Sequence, residues 1–517
     1  MEHIDRLMKM KFWLHIDDSM CYLRCFYMKR SIIIKSIVCF IGALLLYIVS
    51  FAHGINTEVQ SVNQVLPRAK ALEEVVCQPD ANLAQLRKAN TRYIIKYGFD
   101  LKGKQWTIPS NCILVFEGGC IGNGVLVGNN TCIEACPYYI FDRDLSLEGS
   151  WNVSTAYPEW FGAKGDGIND DRTAIQRCIN SFDVTHFFNK TYLLNSLSDV
   201  DKGICISIPE FKTLEGEYIG NAISHCNNPN VLQLGNSLKP KYILHLEKGT
   251  NVIKNISIYG NGKSQYWDFS SIHDNDVDNQ IIGIGSSSEK MLRYNRFENI
   301  GIAYCYYAFK MSTWMTTFDN CSAKCCVYGM RITGGTTINA RNCYMGSIIK
   351  NAYYFSDLVY SKFETLAADG CGWGIHESEG APAVSDDKTY YIYRIEGCNS
   401  LSLNICGQEM GFRTISFETS EYCDVAGFFL YANPISNKQI TRNAYIYIGK
   451  GCRAITQKNI RHNIGGKFIK IEGFYNDAKV PKVILDNIGG PGGIDWSNLD
   501  VSESNAKFVE LRGGQAN

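Results

Sequence analysis

Six short segments in the second half of the chain repeat one pattern: a polar residue, a large apolar one, then a carboxylate or amide. They are Arg296-Phe297-Glu298, Thr317-Phe318-Asp319, Thr337-Ile338-Asn339, Lys362-Phe363-Glu364, Arg394-Ile395-Glu396 and Ser416-Phe417-Glu418. If each is a strand with its central residue inward, the neighbours point out. One outer column then reads Glu298, Asp319, Asn339, Glu364, Glu396, Glu418. The column two positions earlier reads Arg296, Thr317, Thr337, Lys362, Arg394, Ser416. Stacked strands lie ~4.8 Å apart, a spacing at which carboxylates repel unless cations, a metal or protonation relieve them. Carboxyl groups roughly 5 Å apart suit retaining hydrolysis of a glycosidic bond, and roughly 6.5–9.5 Å the inverting kind. Elimination would need a cation against a uronate carboxylate and a base for the adjacent proton. Glu364, Arg394 and Glu396 fit either scheme, with Asp319 and Lys362 as flanking substrate contacts. The plainer reading is that the two columns pair as solvated ion pairs of little energetic weight.

A second constellation is Asp369-Gly370-Cys371-Gly372-Trp373-Gly374-Ile375-His376-Glu377. Asp369 and His376 are potential acid–base groups, and Trp373 is an indole able to stack on a sugar ring. Glu409, after Cys406-Gly407-Gln408, adds an acid for substrate binding. A glycine-rich corner with a packed tryptophan is the alternative. His273-Asp274-Asn275-Asp276-Val277-Asp278 looks like a calcium loop, but Asn279 stands where glycine is expected and no glutamate closes it. The sequence therefore assigns no metal site and no cofactor, and leaves calcium only as an outside candidate.

The elements that would position these groups follow from the spacing. The central apolar residues recur at intervals of 21, 20, 25, 32 and 22 residues, the signature of a solenoid whose coils bury their apolar faces against one another. The longer intervals imply loops inserted at one corner, such as 377–388. Upstream, apolar runs such as Ile113-Leu114-Val115-Phe116 alternate with glycine-asparagine turns, as in a β-rich unit over 53–150. Residues 151–500 form the main domain and 501–517 a tail. Asp170-Asp171 can cap a helix from Arg172 to Ser181 with Ala174, Ile175, Cys178 and Ile179 along one face.

Totals exclude several classes. Fifty-one basic and 51 acidic residues give a formal charge of zero, which argues against a nucleic-acid partner. Met28-Lys29-Arg30, the apolar run Ile37–Val49 and Ser50-Phe51-Ala52 have the three-part layout of a secretory signal peptide, so residues 1–52 are an N-terminal extension and signal. The chain is then secreted, with no membrane attachment after cleavage. Of 21 cysteines, those after the signal are scattered, as in a buried ladder of free thiols. Cys321, Cys343 and Cys398 fall at matching places in the repeat.

From Tyr157 the chain reads Tyr-Pro-Glu-Trp-Phe-Gly-Ala-Lys-Gly-Asp-Gly-Ile-Asn-Asp-Asp-Arg-Thr-Ala-Ile-Gln. This segment resembles a motif of the pectate lyase-like superfamily, with its polygalacturonase and rhamnogalacturonase branches. The resemblance implies a single-stranded right-handed parallel β-helix, all-β, with this helix plugging its N-terminal end. It also implies a polysaccharide partner and a glycoside hydrolase or polysaccharide lyase. The polygalacturonase aspartates, histidine and Arg-Ile-Lys have no counterparts here beyond Gly374-Ile375-His376 and Tyr393-Arg394-Ile395-Glu396. A non-catalytic glycan-binding or adhesion β-helix, or a tailspike-like recognition module, therefore stands as the alternative.

Overall fold

The computed structural model describes residues 72–79, 85–217, 231–261, 281–287, 291–372, 391–411, 413–432, 445–473, 483–490 and 494–513. The segment read as a signal peptide, the 273–278 loop, Trp373, His376 and the 377–388 insertion lie outside these residues.

The chain winds into a right-handed parallel β-helix. Every pairing between its named strands is parallel, and each strand bonds to the equivalent strand one coil on. Each full coil lays down three faces, here A, B and C. In one coil, Tyr307–Met311 lies on face A, Thr317–Asp319 on B and Ser322–Lys324 on C. The upstream strands, from Glu73–Val76 to Leu145–Trp151, also pair in parallel.

The corner between faces B and C shows how so short a repeat closes. It has two residues: the first takes a left-handed conformation, the second turns an apolar side chain inward. Asn255, Asn299 and Asn320 have φ of 59°, 53° and 52°, which asparagine tolerates better than most residues. Their amides hydrogen-bond along the axis, Asn320 to Asn299 at 2.7 Å and Asn299 to Asn255 at 2.8 Å. Behind them Ile256, Ile300, Cys321 and Cys343 are buried. The described cysteines are free thiols, mostly buried. Cys321 and Cys343 stack at this corner, whereas Cys398, expected in the same ladder, lies beyond face A with Cys423 over its carbonyl.

All six central apolar residues of the repeated pattern are buried, but they do not form one column. Phe297, Phe318 and Phe363 belong to face B, where Ala340 rather than Ile338 fills the place between the last two. Ile395 and Phe417 belong to face A. The 32-residue interval thus joins two different faces, and Phe363 is followed in its own column by Leu403. The rings stack along the axis, Phe297 on Phe318 at 4.9 Å between centroids.

The helix expected at 172–181, α1, spans Arg172–Ser181 and buries Ala174, Ile175, Cys178 and Ile179. Its cap differs from expectation. Asp171 makes no side-chain bond to the first turn; its oxygens accept from the amides of Lys164 and Gly165 at 2.7 and 3.0 Å. Asp170 accepts from the Arg172 amide at 3.2 Å. The chain must turn back over the helix start, and Gly162, Gly165 and Gly167 allow this with φ of 97°, 61° and 71°.

Candidate functional site

The residues singled out by sequence divide among three faces. Asp319, Lys362 and Glu364 lie on face B, Arg394 and Glu396 on face A, and Asp369 and Glu409 on face C.

Face B is electrostatically closed. The register places Arg341, not Asn339, between Asp319 and Glu364; Glu298 and Asp319 do stack as neighbouring carboxylates, and each is relieved by its own cation. Asp319 binds Arg341 at 2.5 Å and Lys362 binds Glu364 at 2.9 Å. Glu215 with Lys254 and Arg296 with Glu298 continue the series. Here the plainer reading of solvated ion pairs holds.

Face C brings together one pair of sequence-named carboxylates. Asp369 and Glu409 are register partners on adjacent coils, and the Tyr344 hydroxyl stands 3.4 Å from Asp369 Oδ2. Burial, then the charge of Asp369, pushes the Tyr344 phenol up to about 12, so it is a hydrogen-bond donor at neutral pH.

Face A is different in kind. Its outward column runs Lys310, Arg331, Tyr354, Arg394, Ser416 on successive coils. Lys310 Nζ sits 4.2 Å from the centre of the Tyr307 ring, and Arg331 Cζ 4.5 Å from that of Tyr354. Tyr307 and Tyr328 stack at 4.9 Å and are nearly covered. Arg394 binds Glu396 at 3.1 Å, and Tyr354 donates to the same carboxylate oxygen at 2.9 Å. Glu396 pairs in register with Glu418. Among the described residues, no carboxylate pairs with Lys310 or Arg331, and Arg331 Nε is buried without a hydrogen-bond partner. Burial, then the charges of Arg331 and Lys241, pushes the Lys310 ammonium down to about 8. Half-buried cations without counter-charge are costly; an anion laid along this column would relieve that cost.

Sequence reasoning found Arg394 and Glu396 but missed Lys310, Arg331 and their tyrosines. A signal was there. Tyr307-Ala308-Phe309-Lys310-Met311 and Tyr328-Gly329-Met330-Arg331-Ile332 match residue class for residue class, one coil apart.

No family model matches the sequence, and a search of curated proteins finds no relative. Solved structures do align. A protein of Geobacillus virus E2 is 12% identical over 70% of this chain, with a TM-score of 0.35, and this chain spans 60% of its length. The A-module of a mannuronan C-5 epimerase from Azotobacter vinelandii is 11% identical over 69% of this chain and 100% of its own, TM-score 0.36. An endo-xylogalacturonan hydrolase from Aspergillus tubingensis is 9% identical over 70% of this chain and 92% of its own, TM-score 0.40. The strand register on the three faces makes this chain a right-handed parallel β-helix.

Proposed function

We propose that the chain is a polysaccharide-active protein that binds an anionic, uronate-containing glycan along face A and cleaves it by elimination. The observation that carries this reading is the column of half-buried cations, Lys310 and Arg331, without a carboxylate partner among the described residues. Arg331, with Arg394 two coils on, neutralises the uronate carboxylate and thereby acidifies the proton on the adjacent carbon. The neutral amine of Lys310 takes that proton. The released electron pair forms a carbon–carbon double bond, the glycosidic carbon–oxygen bond beyond it breaks, and the departing oxygen takes a proton from water. Tyr354 and Glu396 position Arg394. The basic start, apolar run and small residues at 28–52 support placing this activity outside the cytoplasm.

The test is incubation of the protein with polygalacturonate and with alginate. Elimination gives an unsaturated, ultraviolet-absorbing product, and Lys310→Ala lowers the rate by about 10²–10⁴-fold, the span of general-base catalysis. New reducing ends without that absorbance would reject elimination and favour hydrolysis, for which the in-register pair Asp369 and Glu409 is the second reading. Binding without cleavage would leave a recognition or adhesion β-helix.

A further inference from the structure

Face C carries two large rings in the open near its C-terminal end. Phe429 and Tyr431 are 38% and 44% exposed, and their rings lie within 11° of parallel at 6.3 Å between centroids. The preceding coil leaves Phe429 clear. The register partner of Phe429 on the preceding coil is Gly407, where a Cβ would strike the Phe429 carbonyl at 2.7 Å. On the following coil its partner is Arg461, whose own partner is Gly489.

The hollow beside the rings is also lined by Asn459, Arg461, His462 and Asn487. Arg461 is exposed and among the described residues has no carboxylate partner. The Asn487 amide donates to Asn459 Oδ1 at 2.7 Å, which fixes both side chains and leaves the Asn459 amide nitrogen available. His462 is only 6% exposed. Its Nδ1 accepts from the Ile464 amide at 3.2 Å, so the proton of the neutral ring is on Nε2, which has no hydrogen-bonding partner. That nitrogen is packed against the bare Cα of Gly490, where a Cβ would come within 2.5 Å, so His462 serves as a buried wall of the hollow rather than as a donor to it.

We propose that this hollow is a second carbohydrate site, binding an uncharged pyranose residue. The apolar face of the sugar stacks on the exposed rings of Phe429 and Tyr431, and its hydroxyls take hydrogen bonds from Arg461 and Asn459. Exposed aromatic rings with donors at their edge are the arrangement that fixes a pyranose ring. The charge balance selects the neutral sugar: Glu409, the register partner of Tyr431, opposes the attraction Arg461 would exert on a uronate. Only the general class of ligand, a glycan, is shared with the reading of face A.

The test is calorimetry and saturation-transfer NMR on the full chain with gluco-, manno- and galacto-oligosaccharides, and oligogalacturonate as the acidic control. A neutral oligosaccharide is expected to bind. Tyr431→Ala and Phe429→Ala should each weaken it by about tenfold, with unchanged circular dichroism and unchanged cleavage of acidic polymer. Arg331→Ala should leave it intact. Absence of binding by every neutral oligosaccharide, or equal binding by Tyr431→Ala, overturns the site. Binding of oligogalacturonate alone, lost in Arg331→Ala, also overturns it while upholding face A.

Discussion

At the scale of single residues, the informative quantity is the mismatch between burial and charge compensation. On face B, Glu215, Glu298, Asp319 and Glu364 each find a cation. Lys310 does not find its opposite, and its ammonium is held down to about 8 by burial and by the charges of Arg331 and Lys241. A lysine so lowered is protonated below that pH and neutral above it. Because the proposed step needs the neutral amine, the elimination rate at saturating uronate should rise with pH and level off above about 8. A carboxylate base would level off several units lower, and a flat profile from pH 6 to 9 would remove Lys310 from the role. Arg394 and Glu396 were legible in sequence because they share the polar–apolar–acid pattern. Lys310 and Arg331 were not, because a single cation in an apolar strand carries no carboxylate beside it to draw the eye. Only the stacking of coils makes them neighbours.

At the scale of elements, alternation could be read and register could not. Each strand declares which of its residues face inward, and the burial of Phe318, Phe363, Ile395 and Phe417 follows. Which coil stacks on which depends on corner lengths, and there Thr337 occupies a left-handed turn, with φ of 56°, rather than the strand position expected of it. That two-residue displacement brings Arg341 into the acid column in place of the expected amide and gives Asp319 an ion pair. Two substitutions separate packing from charge. Phe363→Ala should cost about 3–5 kcal/mol in denaturant unfolding, since a buried stacked ring is lost. Asp319→Asn should cost less than about 1 kcal/mol, as for other exposed pairs. Among the buried polar residues of the described core, Gln457 stands out. Gln457 pairs in register with Val425 and Leu485, is fully buried, and neither its Nε2 nor its Oε1 has a partner. Gln457→Met keeps the shape and removes the unsatisfied amide, so it should raise stability by about 1–3 kcal/mol. An unchanged or lowered unfolding midpoint would mean that the amide is satisfied in solution.

At the scale of the whole molecule, a formal charge of zero conceals an uneven distribution. The fold permits this because each face is a separate ladder: cations and acids pair within or between neighbouring coils on face B, while face A accumulates Lys310, Arg331 and Arg394 along one line. Net charge therefore excludes a general polyanion binder but not a polymer matched to one face. The two cases differ in their response to salt. At physiological ionic strength charges are screened beyond about 8 Å, so a polyanion attracted from a distance loses most of its affinity. One seated directly against half-buried cations loses less per added salt but still declines steadily. Affinity for polygalacturonate should therefore fall with sodium chloride, and the slope should become shallower in Arg331→Ala because one fewer cation is engaged. Binding of neutral oligosaccharide should not change across the same titration. A salt slope that is identical in the wild type and Arg331→Ala would mean that the polymer lies on another surface, and face A would lose its ligand.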